Sequence, residues 1–216
     1  MTRNIFGVLA TLLLSGLGLP GTPARAELAA SAAAAVPLKV GDRAPDFVAL
    51  RADGTPYRFE AGHLQHPYVL IFYRGGWCPY CNAQLADLRH VEPKLRENGF
   101  EVIFLSTDRP QLLYSSLKTR DIHYTLLSDR ELQAARAFHI AYHLTDEEYS
   151  EELKWGVDLE KTTGTANHAL PVPSVFIIDM SGIVRFVYSN PDYTVRLGAD
   201  SLWKAALPLK PPHTEH

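Results

Sequence analysis

Tyr68-Val69-Leu70-Ile71-Phe72-Tyr73-Arg74-Gly75-Gly76-Trp77-Cys78-Pro79-Tyr80-Cys81 is the stretch that decides the fold. Its first six residues are an unbroken aromatic and branched run, the composition of a strand buried on both faces. Gly75-Gly76 interrupts it. Pro79 suits the first position of a helix, where the N–H that proline lacks would have had no partner. Cys78 then falls at the helix N-cap and Cys81 one turn along, close enough to close a disulfide. Unpaired N–H groups and the positive end of the helix dipole favour a thiolate at Cys78.

These are the only 2 cysteines of the chain. A disulfide framework and a four-cysteine zinc site within one chain are therefore excluded. Three other uses of the pair compete with redox chemistry. An inert structural disulfide would close a small loop and remove little chain entropy. Half a metal site would need further ligands, and His63, His66, His90 and His168 have no ligand-like spacing to the pair. Two chains could also share a 2Fe–2S cluster through four thiolates. Reversible dithiol chemistry is the leading reading, and it requires neither cofactor nor metal.

Outward from the pair, a helix is predicted with Leu85, Leu88, Val91 and Leu95 on one side, kinked or ended by Pro93 and stopped by Asn98-Gly99. Val102 to Leu105 reads as a second buried strand, Leu112 and Leu113 as a helix after Pro110, and Tyr124 to Leu127 as a short strand. Ser128 with Glu131 has the spacing of a capping box for a helix carrying Leu132, Ala135 and Phe138. Thr145 with Glu148 repeats it before an acidic stretch, Asp146, Glu147, Glu148, Glu151 and Glu152, which reads as a solvated helix face. Residues 142–170 read as an irregular insertion. Val175 to Ile178 and Ile183 to Tyr188 flank Met180-Ser181-Gly182 as a hairpin, and a last helix starts at Asp200. Upstream, Phe47 to Leu50 and Tyr57 to Phe59 flank Asp53-Gly54, an N-terminal hairpin. The order implies an α/β fold: a mixed central sheet with helices on both faces.

The chain has 216 residues, room for one domain. With 46% hydrophobic and 21% charged residues it is neither disordered nor a coiled coil. A net charge of −3 offers no basic excess for a phosphate backbone, so nucleic acid is not an expected partner. Arg3, the apolar run from Ile5 to Leu19 and Ala24-Arg25-Ala26 have the order of a secretory signal peptide over residues 1–26. The apolar run, about 15 residues, is short of the roughly 20 needed to cross a bilayer, so no stable membrane anchor is expected after cleavage. Loss of Arg3 and Arg25 would take the net charge from −3 to −5. An exported protein, in a bacterial periplasm, meets conditions where disulfides persist. Residues 27–37 read as a flexible lead-in, 38–207 as the domain and 208–216 as a frayed tail.

Gly41-Asp42-Arg43-Ala44-Pro45-Asp46-Phe47, Phe72 to Cys81, and Pro173-Ser174-Val175-Phe176-Ile177-Ile178-Asp179 with Gly182 resemble the peroxiredoxin-like branch of the AhpC/TSA family, whose members have a thioredoxin-like fold. To that fold the elements read above add a hairpin extension at the N-terminus and an insertion before the last hairpin. The resemblance implies a partner that is a thiol or disulfide protein, or a small peroxide. Peroxiredoxins carry Pro-x-x-x-Thr-x-x-Cys. On that pattern Arg74 replaces the proline, Cys78 the threonine, and Cys81 takes the peroxide-attacking position, leaving Cys78 to resolve. The arginine that begins their later strand is replaced by Pro173. The threonine and arginine hold the peroxide, so their loss favours disulfide exchange over peroxide reduction. Pro173 matches the thioredoxin cis-proline, which implies a cis Val172–Pro173 bond against the cysteines and a Val172 backbone free to pair with substrate. Trp77, with Tyr80, is expected to flank the site as an exposed aromatic, with a core position as the alternative for Trp77; Arg74 is expected to raise the local potential, with a solvated strand-end arginine as the alternative. Asp108 reads as a turn-capping residue, with a proton acceptor as the alternative.

Overall fold

The computed structural model describes residues 27–120 and 124–211. The proposed leader, residues 1–26, lies outside the described residues, as does the tail from residue 212. No helix among the described residues is long and apolar enough to cross a membrane.

A hairpin of β1 (Phe47–Arg51) and β2 (Pro56–Phe59) opens the domain. It is followed by β3 (Tyr68–Phe72), α1 (Pro79–Leu88), α2 (Glu92–Glu97), β4 (Glu101–Ser106), α3 (Pro110–Arg120), β5 (Thr125–Ser128) and α4 (Gln133–Ala137). After these come β6 (Ala141–His143), α5 (Asp146–Lys154), α6 (Leu159–Thr163), β7 (Ala169–Pro171), β8 (Ser174–Ile178), β9 (Val184–Ser189) and α7 (Ala199–Ala206). Seven strands form one sheet in the order β2-β1-β5-β4-β3-β8-β9. The centre, β5-β4-β3, is parallel, and β1, β8 and β9 join antiparallel. The mixed sheet expected from the order of elements is therefore present.

Period-2 alternation divides the core. Leu70, Phe72, Ile103, Leu105, Phe176 and Ile178 point to one face, where Ala134, Ala135 and Phe138 cover them. Val69, Ile71, Val102, Phe104, Val175 and Ile177 point to the other, under Leu85, Leu95, Leu113 and Leu202. Helices thus lie on both faces, and the continuous apolar strands follow from that double burial. The long helix expected after Cys81 is two: α1 ends at Leu88, and Pro93 sits in the first turn of α2.

Four local expectations are corrected. The lead-in is docked: Ala29 N–H donates to the Ala141 carbonyl at 2.9 Å, His143 N–H returns a bond to Ala29 at 3.0 Å, and Leu28, Ala32 and Ala35 pack on the core. The tail is docked as far as Lys210, whose ammonium lies 5.1 Å from the centre of the Trp203 ring. Ser128 caps nothing, because it ends β5. Asp129 accepts instead from Ala134 N–H at 3.0 Å and Ala135 N–H at 2.8 Å. The insertion is ordered, its ends pairing as the two-stranded sheet β6-β7, and the capping box of Thr145 and Glu148 starts α5.

The β8–β9 turn closes on Gly182, at φ +75°. A Cβ there would lie 2.2 Å from the Ala61 carbonyl oxygen, so the position excludes side chains by both conformation and space. Gly182→Ala is expected to cost about 2–3 kcal/mol, read as a lower denaturant midpoint at unchanged slope. A midpoint equal to the parent's would show that the turn re-forms without strain.

Candidate active site

The chain leaves β3 through a strap, Tyr73 to Trp77, and enters α1 at Cys78. The end of β4 holds this strap. Thr107 Oγ1 donates to the Arg74 carbonyl at 2.8 Å, and the Gly76 N–H donates to Asp108 Oδ2 at 2.6 Å. Asp108 is buried and fixes the backbone one residue before Trp77. Cys78 is the N-cap, in extended conformation (φ −81°, ψ 121°), with Pro79 in the first turn, as the spacing predicts. Its own N–H is used by the Gly75 carbonyl at 3.2 Å.

Trp77 is half-buried between the two core faces rather than exposed. Gly75 permits this, since a Cβ there would stand 2.2 Å from Trp77 Nε1. Tyr80 is exposed, its ring edge-on to Tyr193 with centroids 5.8 Å apart. Arg74 is buried, with its guanidinium carbon 4.8 Å from the centre of the Trp77 ring and 4.1 Å from that of Tyr193. It forms an ion pair with Glu152 of α5. Glu152 is only 4% exposed, so the acidic helix is not solvated all round.

The resemblance misleads at Val172 and Pro173. All peptide bonds among the described residues are trans. Val172 is buried, its N–H donating to the Ile140 carbonyl at 2.7 Å and its carbonyl accepting from Ser174 Oγ at 2.8 Å. Its backbone is already engaged and is not free to pair with a substrate strand.

Sequence reasoning passed over Arg196, between β9 and α7. Its Nη2 lies 3.3 Å from Cys81 Sγ and 3.9 Å from Cys78 Sγ. Nη1 donates to Gln84 Oε1 at 3.1 Å and Nε to the Tyr193 carbonyl at 2.6 Å, so the guanidinium is held at both ends. No local pattern marks it. The arginine beside the sulfurs is therefore Arg196, and neither cysteine is exposed (0% each). Cys78 was expected to be the more exposed; Arg196 and its loop close over the helix start.

The two thiols differ sharply. Cys78 is brought down to about 6, first by the hydrogen bond from the Cys81 thiol; burial opposes this, and the Cys81 N–H, Arg74 and Arg196 add to it. Cys81 is pushed up, first by burial and then by the hydrogen bond it gives to Cys78 and the charge it would face there; Arg196 works against these. The arrangement suits one thiolate and one neutral thiol. No group of three or more His, Cys, Asp or Glu among the described residues could hold a metal.

Residues 40–187 match the family model described as the AhpC/TSA family. The chain belongs to the AhpC/TSA family. This AhpC/TSA chain is 33% identical over 105 residues to peroxiredoxin Bcp of Escherichia coli K12, covering 48% of the chain and 66% of that protein, just under two thirds of its length. It is 23% identical over 148 residues to the thiol-disulfide oxidoreductase ResA of Bacillus thuringiensis, 68% of each. Among solved structures it resembles a peroxiredoxin-like protein of Aquifex aeolicus (TM-score 0.61, 22% identity, 81% of this chain and 89% of that one). It also resembles peroxidoxin BcpB of Mycobacterium tuberculosis (TM-score 0.60, 24% identity, 80% and 96%). The peroxiredoxin-like, thioredoxin-type fold of this AhpC/TSA chain agrees with both.

Proposed function

We propose that this AhpC/TSA protein is a dithiol–disulfide oxidoreductase in which Cys78 attacks and Cys81 resolves. The observation that carries the reading is the split between the thiols, with Cys78 near 6 and Cys81 raised. A thiolate near neutral pH is the effective nucleophile in exchange. Cys78 Sγ attacks one sulfur of a disulfide, expelling the other as a thiolate and leaving a mixed disulfide. Cys81, losing its proton, attacks Cys78 Sγ and expels the second thiolate. The substrate gains two electrons, and the pair ends as the Cys78–Cys81 disulfide, to be reduced again by an external dithiol.

The test is alkylation of reduced protein across pH, with the label mapped to each cysteine. Cys78 is expected to label first, its rate half-maximal near pH 6. Dominant labelling of Cys81 would restore the assignment implied by the peroxiredoxin pattern.

A second reading has its own support. With both sulfurs covered and Arg196 beside them, a small peroxide reaches the site more easily than a bulky disulfide. Cys78 thiolate would then take one peroxide oxygen as sulfenic acid and release hydroxide, and Cys81 would condense with it, releasing water. The bridging-cluster reading would appear as visible absorbance in anaerobically purified protein. For export, the proposal is a mature chain starting at Glu27 in the periplasm; an intact Met1 on membrane-bound protein would overturn it.

A further inference from the structure

We propose that Glu152, carried by α5 of the insertion, is a positioning residue that limits how much of the Arg74 charge reaches Cys78. The inference rests on the reading of Cys78 as the attacking thiolate. Arg74 is buried on the strap that leads into Cys78, four residues before it, and its charge favours the thiolate there. Glu152 is equally buried and pairs directly with that guanidinium. A full positive charge in a poorly solvated pocket acts over a longer range than one in water, so a carboxylate clasping it is the natural way to reduce its reach. The stacking of Arg74 against Trp77 and Tyr193 fixes the charge where Glu152 meets it. Without α5 the strap would present an uncompensated cation to the sulfur.

The other groups facing this cluster do not duplicate Glu152. Tyr142, on β6, is pushed up to about 12 by burial and stays neutral in the working range. Tyr193 is likewise raised by burial. Arg196 adds positive charge of its own, with Nη2 at the sulfurs. Glu148 lies one turn back on α5, where its carboxylate accepts the Thr145 N–H of the helix cap. Cys81 contributes a hydrogen bond, not a charge, while it holds its proton.

The sign separates this role from a structural one. Loss of a merely supportive contact would let Arg74 drift and would raise the Cys78 pKa. Removing a compensating charge lowers it. Glu152→Gln keeps the shape and one hydrogen bond and removes the charge. Alkylation of its Cys78 at pH 5 is expected to be faster than in the parent, its pH midpoint falling by about half a unit to one unit, which raises the thiolate fraction there about threefold to fivefold. Arg74→Met is expected to slow it. Because a half-broken buried pair can unfold a protein, the third variant is Arg74→Met with Glu152→Met, an apolar replacement of the kind that buried pairs tolerate. Its Cys78 rate is expected within about twofold of the parent. A slower or unchanged Glu152→Gln, or a double variant as slow as Arg74→Met alone, overturns the proposal. Rates are read on the Cys78 peptide by mass spectrometry. Labelling of Cys81 first would sink the assigned order of attack and leave the Glu152 comparison on Cys78 readable.

Discussion

Arg196→Met is expected to slow resolution of the mixed disulfide by about 10–50-fold. Cys81 must lose its proton to attack Cys78, and burial holds that proton on. Arg196 Nη2, 3.3 Å from Cys81 Sγ, is the charge that opposes this. An opposite charge at such range shifts a pKa by about one to three units. Nucleophilicity falls with pKa at a slope of about 0.4–0.5, so roughly half of any rise in pKa appears as lost rate at fixed pH. The upper part of that range gives the figure. The measurement is stopped-flow oxidation of reduced protein by a chromogenic aromatic disulfide, which releases one equivalent of coloured thiol per step. The second release is expected to lag, and the mixed disulfide on Cys78 to accumulate. Arg196→Lys should recover only part of the rate, since an ammonium cannot hold Gln84, the Tyr193 carbonyl and a sulfur together. Two releases at the parent's rates in Arg196→Met would remove Arg196 from the chemistry. A parallel arm with hydrogen peroxide weighs the second reading. Loss of one preorganised donor from an oxyanion-type site costs about 10²–10³ in rate. A fall of that size with peroxide, larger than that with the disulfide, would show that the peroxide-holding arginine of the family has been replaced by one on another loop.

What could be read from the chain, and what could not, divides by sequence distance. The central strands were legible because double burial writes a continuous apolar run, and α1 because Pro79 marks its first turn. The Thr145–Glu148 capping box is a local pattern and formed as expected. The Ser128–Glu131 pattern failed because β5 claimed Ser128 for pairing with Leu50 and Ser106, so the next carboxylate, Asp129, supplied the cap. Glu152 sits among exposed acids, and nothing in its neighbours reveals that it turns inward to a residue 78 positions away. Arg196 is 118 positions from Cys78 and is brought to it by sheet topology alone, as β8 pairs with β3 and β9 returns along β8. Pro173 shows the opposite failure. It lies where a family pattern would put a cis-proline, but the backbone of Val172 is already spent on Ile140 and Ser174.

Cys78→Ser should abolish the first step, a loss of at least about 10³ in exchange rate, because an alcohol is not ionised at neutral pH and Cys81, whose proton is held on by burial, does not replace it. Substitutions at Cys81 carry more information, because two roles are combined there. As the resolving thiol, Cys81 is needed for turnover, so both Cys81→Ser and Cys81→Ala should stop at a stable mixed disulfide on Cys78. As a hydrogen-bond donor, it is the first cause of the low Cys78 pKa. A serine hydroxyl still donates; an alanine methyl does not. Cys78 is therefore expected to titrate near 6 in Cys81→Ser and about one to two units higher in Cys81→Ala, since a bond to the charged form is one of the terms that favour it. Thiolate absorbance at 240 nm follows both variants, each having a single thiol and no coupled titration to resolve. Equal values for the two would move the origin of the acidity from Cys81 to the arginines, Arg74 and Arg196. A higher value in Cys81→Ala alone would show that the second cysteine of the pair activates the first before it resolves it.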